Sequence, residues 1–413
     1  MLSNMLNSKL NINTTINTTR NIVVSSLRSC YADYGILAGK HQFSYYWARD
    51  SFFASFGSLV LKDYDIVRKN LSLFLRFTKN GMVPLSIGDP TLKFFIKLVF
   101  NRHSFSQPKK LFPYYKNHHL YLRRTVPLDV GSLLIIIMRE YFDRTRDIHF
   151  LRNNIKTLLK IIKYYERFVN DYGNYGLIID QPSSTWDDSI IRHSPSIYTN
   201  ILYYKALVDL NFLIQKLRLN DLRRESSILS NKALSNKAAM IKKSINTLLW
   251  NKDLGFYSDS LEFRDYFSTP GNLLAIIFGV ADKNKALKII EYIDDNKLNY
   301  PVPTRTNYPS FPSSKVYPLI KLVGLRGYHN NNLSWLWIGA LELIVRAKLG
   351  LDYKTLLSRI VFVINKYNGV FEIYDKKGRP FKNLFYRAEH PFAWSSGLLI
   401  YAFHKLGIEL NEY

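Results

Sequence analysis

Apolar residues recur every three or four positions along almost the whole chain, the spacing that lays an apolar stripe on an α-helix. The pattern predicts about twelve helices, near 16–31, 50–62, 64–78, 127–143, 147–170, 196–217, 228–249, 270–281, 283–294, 331–348, 352–366 and 391–405. Strand-like segments are few, and the two short ones are Tyr175–Ile179 and Gly369–Tyr374. The helices are joined in two ways. Some connections are tight, as at Asp63 and at Gly350–Asp352. Others are long and carry Pro, Gly, Trp and acidic residues: 79–126, 180–195, 250–269, 295–330 and 367–390. Long loops in a compact domain are functional or disordered, and aromatic-rich ones argue for function. Helical hairpins whose long loops gather at one end describe an all-α (α/α)6 toroid, with a funnel inside the inner helices and the site in the loops. No linker divides the chain, and no repeat marks a solenoid. The expected organisation is a flexible tail over 1–15 and one toroidal catalytic domain over 16–413.

Composition narrows the function classes. A chain of 413 residues can bury a large core, as two or three average domains or as one large one. Aromatics make up 15%, with 29 Tyr and 26 Phe. Buried Tyr and Trp need partners for their polar tips, which suits a polar cavity lined with rings. Lys and Arg number 57 against 32 Asp and Glu, a formal charge of +25 that favours anionic partners. These cations are scattered, however. The densest groups are pairs such as Lys109-Lys110 and Arg123-Arg124, and no nucleic-acid motif accompanies them, so nucleic acid is not an expected partner. The single cysteine, Cys30, excludes an intrachain disulfide and a Cys-based metal site. The nine His form no HExxH pair, and neither a metal nor an organic cofactor is expected. The Asn/Thr/Ser-rich first nineteen residues lack the basic start and apolar core of a signal peptide. No apolar run is long enough to span a bilayer, so the expected location is cytoplasmic. Nothing in the sequence specifies an oligomeric state.

Three aromatic segments bear carboxylates. In Tyr45–Phe53 (YYWARDSFF), Trp47 precedes an adjacent Arg49–Asp50 pair. Aromatic faces stack on sugar rings, and such a pair holds vicinal hydroxyls by charge-assisted hydrogen bonds. Taken alone, the segment also reads as a buried ion pair at a helix start. The second segment is Trp186-Asp187-Asp188, and the third runs from Gly369 to Asp375. Hydrolysis of a glycosidic bond needs two carboxyl groups, about 6.5–9.5 Å apart for inversion and about 5 Å for retention. Asp187 is the candidate general acid, because a neighbouring carboxylate and an indole both raise an Asp pKa. Its plainer reading is a helix N-cap. Asp188 is assigned to a sugar hydroxyl or a cap. Glu372, among apolar residues and close to Gly369, is the candidate general base; the alternative is a solvent-facing strand edge. Glu389 competes for that role and is favoured as a supporting group paired with Arg387 or His390. Between these segments, Tyr328, His329 and Asn330 lead into a helix with two Trp, where amides and an imidazole can read sugar hydroxyls.

These segments resemble the six-hairpin glycosidases: the trehalase, glucoamylase, neutral invertase, glycogen-debranching amylo-glucosidase and processing α-glucosidase families. YYWARDSFF looks like their early Trp/Arg–Asp substrate-binding motif. STWDDS looks like the segment supplying the general acid, GYHNNNLSWLW like a Tyr-His-Asn-Gly…Trp-Pro segment, and FEIYDKKGRP like the Glu-x-Tyr-Asp motif of the general base. PFAWSSGLLIYA is similar to a closing Ala-Trp-Ser motif, and LWNKDLGFYSD to a recurrent structural turn. The resemblance runs from about Gly35 to Phe403, with motifs in family order. Asn331 stands where Gly is usual, and Ser334 near the usual Val.

The resemblance implies a stand-alone hydrolase of α-linked glucosides, inverting, acting on an oligosaccharide or disaccharide. Asp187 would protonate the glycosidic oxygen and Glu372 activate water. Trp47, Arg49 and Asp50 would hold the terminal sugar, with Trp186, Asp188, Tyr328, His329, Asn330 and Trp394. Two rival expectations remain. The charge of +25 suggests an enzyme of acidic sugars. A salt-bridged Asp187 would suggest a non-catalytic glycan-binding or structural protein that keeps the toroid.

Overall fold

The computed structural model describes residues 9–89, 107–116, 125–169, 175–217 and 231–409. Twelve long helices alternate between two shells among them. The outer helices are α1 (Lys9–Ser29), α3 (Tyr64–Phe77), α5 (Ile148–Tyr165), α7 (Asn231–Ser244), α9 (Lys283–Asp295) and α11 (Lys354–Tyr367). The inner helices are α2 (Ala48–Val60), α4 (Val130–Thr145), α6 (Ile197–Leu217), α8 (Thr269–Ile277), α10 (Leu336–Leu349) and α12 (Ala393–Lys405). Each inner helix packs on the next, α2 on α4, α6, α8, α10 and α12 in turn, and α12 returns to α2. The result is a closed (α/α)6 toroid.

The two shells differ in sequence for a physical reason. An inner helix is covered on all sides, so it tolerates apolar residues in unbroken runs. In α4 every residue from Val130 to Met138 is buried. An outer helix needs only a stripe, and α5 buries Phe150, Leu151, Ile155, Leu158, Ile161, Ile162 and Tyr165 while the opposite face stays polar. The ring closes where backbones touch. A Cβ placed on Gly57 of α2 would lie 2.5 Å from the Gly397 carbonyl oxygen of α12, so only glycine lets the first and last inner helices meet.

The twelve expected helices are all found. The first begins at Lys9 rather than near 16; residues 1–8 lie outside the described residues. The helix expected at 228–249 is α7 followed by a π-turn, Ile245–Leu249; its first residues, 228–230, lie outside the described ones. One short helical turn, Pro318–Leu322, sits inside a long loop. Neither expected strand forms. Ile178 makes a lone bridge to Val169, and Tyr374 makes lone bridges to Ser334 and Pro380. Each segment meets its neighbour at single residues, so no ladder propagates. A three-stranded antiparallel sheet forms instead, pairing Tyr46–Trp47 with Ser86–Gly88 and the latter with Phe112–Tyr114. It delivers Trp47 directly to the start of α2. No described helix is long and apolar enough to cross a membrane.

Candidate active site

Trp47, Asp129, Trp335 and Phe392 each stand just before an inner helix (α2, α4, α10 and α12). At this end of the ring a cavity of about 1140 Å³ opens. Nine of the eleven expected site residues line it: Trp47, Arg49, Asp50, Trp186, Asp188, Tyr328, His329, Glu372 and Trp394. Asp187 and Asn330 do not.

The buried end is aromatic. Trp394 stacks on Phe53 with centroids 4.9 Å apart and planes 5° apart, and on Trp337 at 4.5 Å and 24°. Trp186 meets Trp337 edge-on at 5.0 Å. His329 lies parallel to Trp335 at 5.5 Å. Rings locked in this way present flat apolar surface at little conformational cost.

Polar groups are fixed around these rings. Arg49 sits on the first turn of α2, and its Nε bonds the Asp129 carboxylate at 2.5 Å. That contact orients the guanidinium and leaves its Nη2 without a protein partner among the described residues. Asp50, the next residue, is pushed up to about 7 by burial, against the opposing charge of Arg49. Glu372 is held on both oxygens: the Tyr328 hydroxyl donates to Oε1, the Tyr386 hydroxyl to Oε2 at 2.6 Å, and the Glu389 N–H to Oε2 at 3.2 Å. Burial pushes Glu372 up to about 8, while the two phenols, which favour the anion, pull the other way.

Glu389 also lines the cavity, but not as the expected partner of Arg387 or His390. Its carboxylate accepts main-chain N–H groups of Lys40, His41 and Phe43 at 2.9–3.2 Å, so it pins the 40–43 loop against the site.

The two adjacent aspartates part company. Asp187 turns away from the cavity and is gripped by Arg192, with Nη1–Oδ1 at 3.1 Å and Nη2–Oδ2 at 2.7 Å. Arg192 also bonds Asp259 through Nε and Nη2, both at 2.9 Å. Burial pushes Asp187 up, but the charge and hydrogen bonds of Arg192 outweigh it and hold the carboxyl below its usual range. Asp187, expected as the general acid, therefore does not line the cavity, and its carboxylate is committed to Arg192. Asp188 points the other way and lines the cavity, with Oδ1 3.9 Å from His329 Nδ1. Ser189 Oγ holds the same imidazole nitrogen at 3.0 Å.

Asn330 is corrected as well. It is 1% exposed, and its amide clamps the main chain of Phe311 rather than facing a ligand. Asn331, where glycine is usual, has φ +61°. Asn tolerates this left-handed conformation better than other residues with a side chain, so the departure preserves the turn.

Asp129, Arg192, Asp259 and Tyr386 were not foreseen. Only Tyr386 carried a signal, an aromatic three positions before Glu389 in a segment already suspected.

No family model matches the chain, and no curated protein is similar to it in sequence. Solved structures share its fold. The chain matches a GH63 mannosylglycerate hydrolase from Thermus thermophilus, in complex with Tris, with a TM-score of 0.65 and 13% identity over 93% of this chain and 99% of that one. It matches a rhamnosidase from Klebsiella oxytoca with rhamnose bound at 0.64 and 13% identity, covering 95% of this chain and 64% of the rhamnosidase. A GH78 rhamnosidase from a Bacillus species matches at 0.60 and 15% identity over 94% of this chain and 34% of that one.

Proposed function

We propose that this protein is a glycoside hydrolase that cleaves an α-linked glucoside with inversion. One observation carries the reading: two carboxyl groups from distant segments, Asp188 and Glu372, line a single cavity beside a bed of stacked indoles. Solved structures of the same fold include a mannosylglycerate hydrolase in complex with glucose, which supports a hexose in such a cavity.

In this mechanism Asp188 protonates the glycosidic oxygen as the bond to the anomeric carbon breaks. Glu372 takes a proton from water as the water oxygen attacks that carbon from the opposite face. The products are the free sugar with inverted configuration and the alcohol. Tyr328 and Tyr386 orient the Glu372 carboxylate and favour its anion against burial. Arg49, fixed by Asp129, offers its remaining N–H groups to sugar hydroxyls, and Trp394 and Trp47 supply ring faces. An ion-paired Asp187 is the sign expected of a non-catalytic relative, but Asp188 supplies the second carboxyl that such a relative would lack.

The test is incubation with a panel of α-glucosides, α-mannosides and α-rhamnosides, with the first-formed anomer followed by NMR. Release of β-glucose is expected. First release of the α-anomer would exclude inversion, and no release from any member would remove the hydrolase reading.

The pH profile gives a further check. The base must be ionised, so kcat/KM should rise with pH through about 8, the value to which burial pushes Glu372. Tyr386→Phe removes a donor that favours the anion and raises this pKa further. A hydrogen bond to a charged group contributes about 1.5–3 kcal/mol, so the limb should move up by about one pH unit or more. A limb that stays in place would detach Glu372 from the rate.

A further inference from the structure

The open end of the cavity differs in character from its buried end. The carboxylates Glu372 and Glu389 are almost wholly buried, whereas Lys116, Lys382 and Arg387 line the cavity from exposed positions. Lys382 and Arg387 face each other directly across an antiparallel hairpin. Its turn is held by Asn383, whose side-chain oxygen accepts the N–H groups of Phe385 at 2.8 Å and Tyr386 at 2.6 Å. Like charges directly opposite on a hairpin repel and cost stability. No carboxylate partners Lys116, Lys382 or Arg387 among the described residues, in contrast to Arg379, which Asp375 holds at 2.8 Å. The same hairpin also delivers Tyr386 to Glu372. The paired cations are therefore attached, through this short hairpin, to the group that activates water. Beside them the wall is apolar, formed by Leu319, Ile320, Val323 and Phe385.

We propose that the open end of the cavity is a leaving-group subsite for an anionic aglycone, one bearing a carboxylate or phosphate next to a short apolar stretch. The anion lies between Lys382 and Arg387 within reach of Lys116, and relieves their repulsion. The apolar stretch lies along Leu319–Val323. This rests on the hydrolase reading for the sugar end but is tested by binding alone.

The experiment compares matched hexyl α-glycosides, with glucosyl, mannosyl and rhamnosyl heads, whose alkyl chain ends in a carboxylate or in its methyl ester. Calorimetric affinity is measured at low and high salt for the wild type and for the Lys382→Gln/Arg387→Gln variant. The carboxylate form should bind about three- to thirtyfold more tightly, as a few exposed ion pairs of ordinary strength allow. Salt should erode this advantage, and the double variant should abolish it. Equal affinity of the two forms, an advantage that survives the double variant, or no binding of the carboxylate form at millimolar concentration would each overturn the proposal. Binding of vesicles containing anionic lipid, lost in the double variant and not competed by the glycosides, would also overturn it, since the cations would then serve a membrane surface. Failure to hydrolyse any glycoside, with the carboxylate preference intact, would sink the hydrolase reading and leave the anionic subsite standing.

Discussion

Asp188→Asn and Glu372→Gln should each lower kcat by about a hundred- to ten-thousand-fold, the usual contribution of a general acid or base. Both amides are close in shape to the acids they replace, so the unfolding midpoint should move little. Asp187→Asn should behave in the opposite way. Its carboxylate holds both Arg192 Nη atoms and faces away from the cavity. Losing hydrogen bonds to a charged group costs about 1.5–3 kcal/mol, so this variant should lose stability before it loses chemistry. The three variants, measured for kcat and for urea midpoint, separate a proton donor from its anchored neighbour. Near-normal turnover in Asp188→Asn with none in a folded Asp187→Asn would return the acid to Asp187.

Arg192→Met should be the most destabilising single change near the site. Arg192 has 3% of its side chain exposed and lies between Asp187 and Asp259. Removing one partner of a buried ion pair leaves uncompensated charge and costs about 3–5 kcal/mol. Asp259 is already pushed up to about 6 by burial, with Arg192 pulling it down. Without Arg192 both carboxyls should bind protons at higher pH. A group whose folded pKa is raised stabilises the protein where it is protonated and loses that contribution as pH rises through the folded value. The variant should therefore be closest to wild-type stability in mild acid and fall further behind toward pH 8. An equal deficit at pH 5 and pH 8 would contradict the charge account.

The helices were legible because burial on one or all sides writes its period into the chain: the unbroken run Val130–Met138 belongs to an inner helix, and the striped Ile148–Tyr165 to an outer one. The place of Arg49, Asp50 and Glu372 in the cavity was legible because charged groups among aromatic residues are costly without a partner or purpose. The choice between Asp187 and Asp188 was not legible. Adjacent side chains in a loop follow no period, and the grip on Asp187 comes from Arg192, whose second partner is 67 positions away. Asp129 was hidden for a similar reason. It precedes an apolar helix as a capping residue would, yet its side chain makes no cap and instead holds Arg49, 80 positions earlier. Gly369–Tyr374 resembled a strand, but its neighbours meet it only at single points.

The Glu389 carboxylate pins the loop at Lys40–Phe43 across 349 positions of chain. The glycine seam between Gly57 and Gly397 spans a similar separation. Contacts this distant in sequence require closing a very long loop before they contribute, which slows folding. During synthesis the segment bearing Arg49 and Asp50 leaves the ribosome long before the helix that completes its ring, and until α12 arrives α2 exposes Phe53 and Ala54, which end fully covered. Transiently exposed apolar surface of this kind invites aggregation. The same seam that closes the ring thus leaves apolar helix surface uncovered in the nascent chain until its last helix is made.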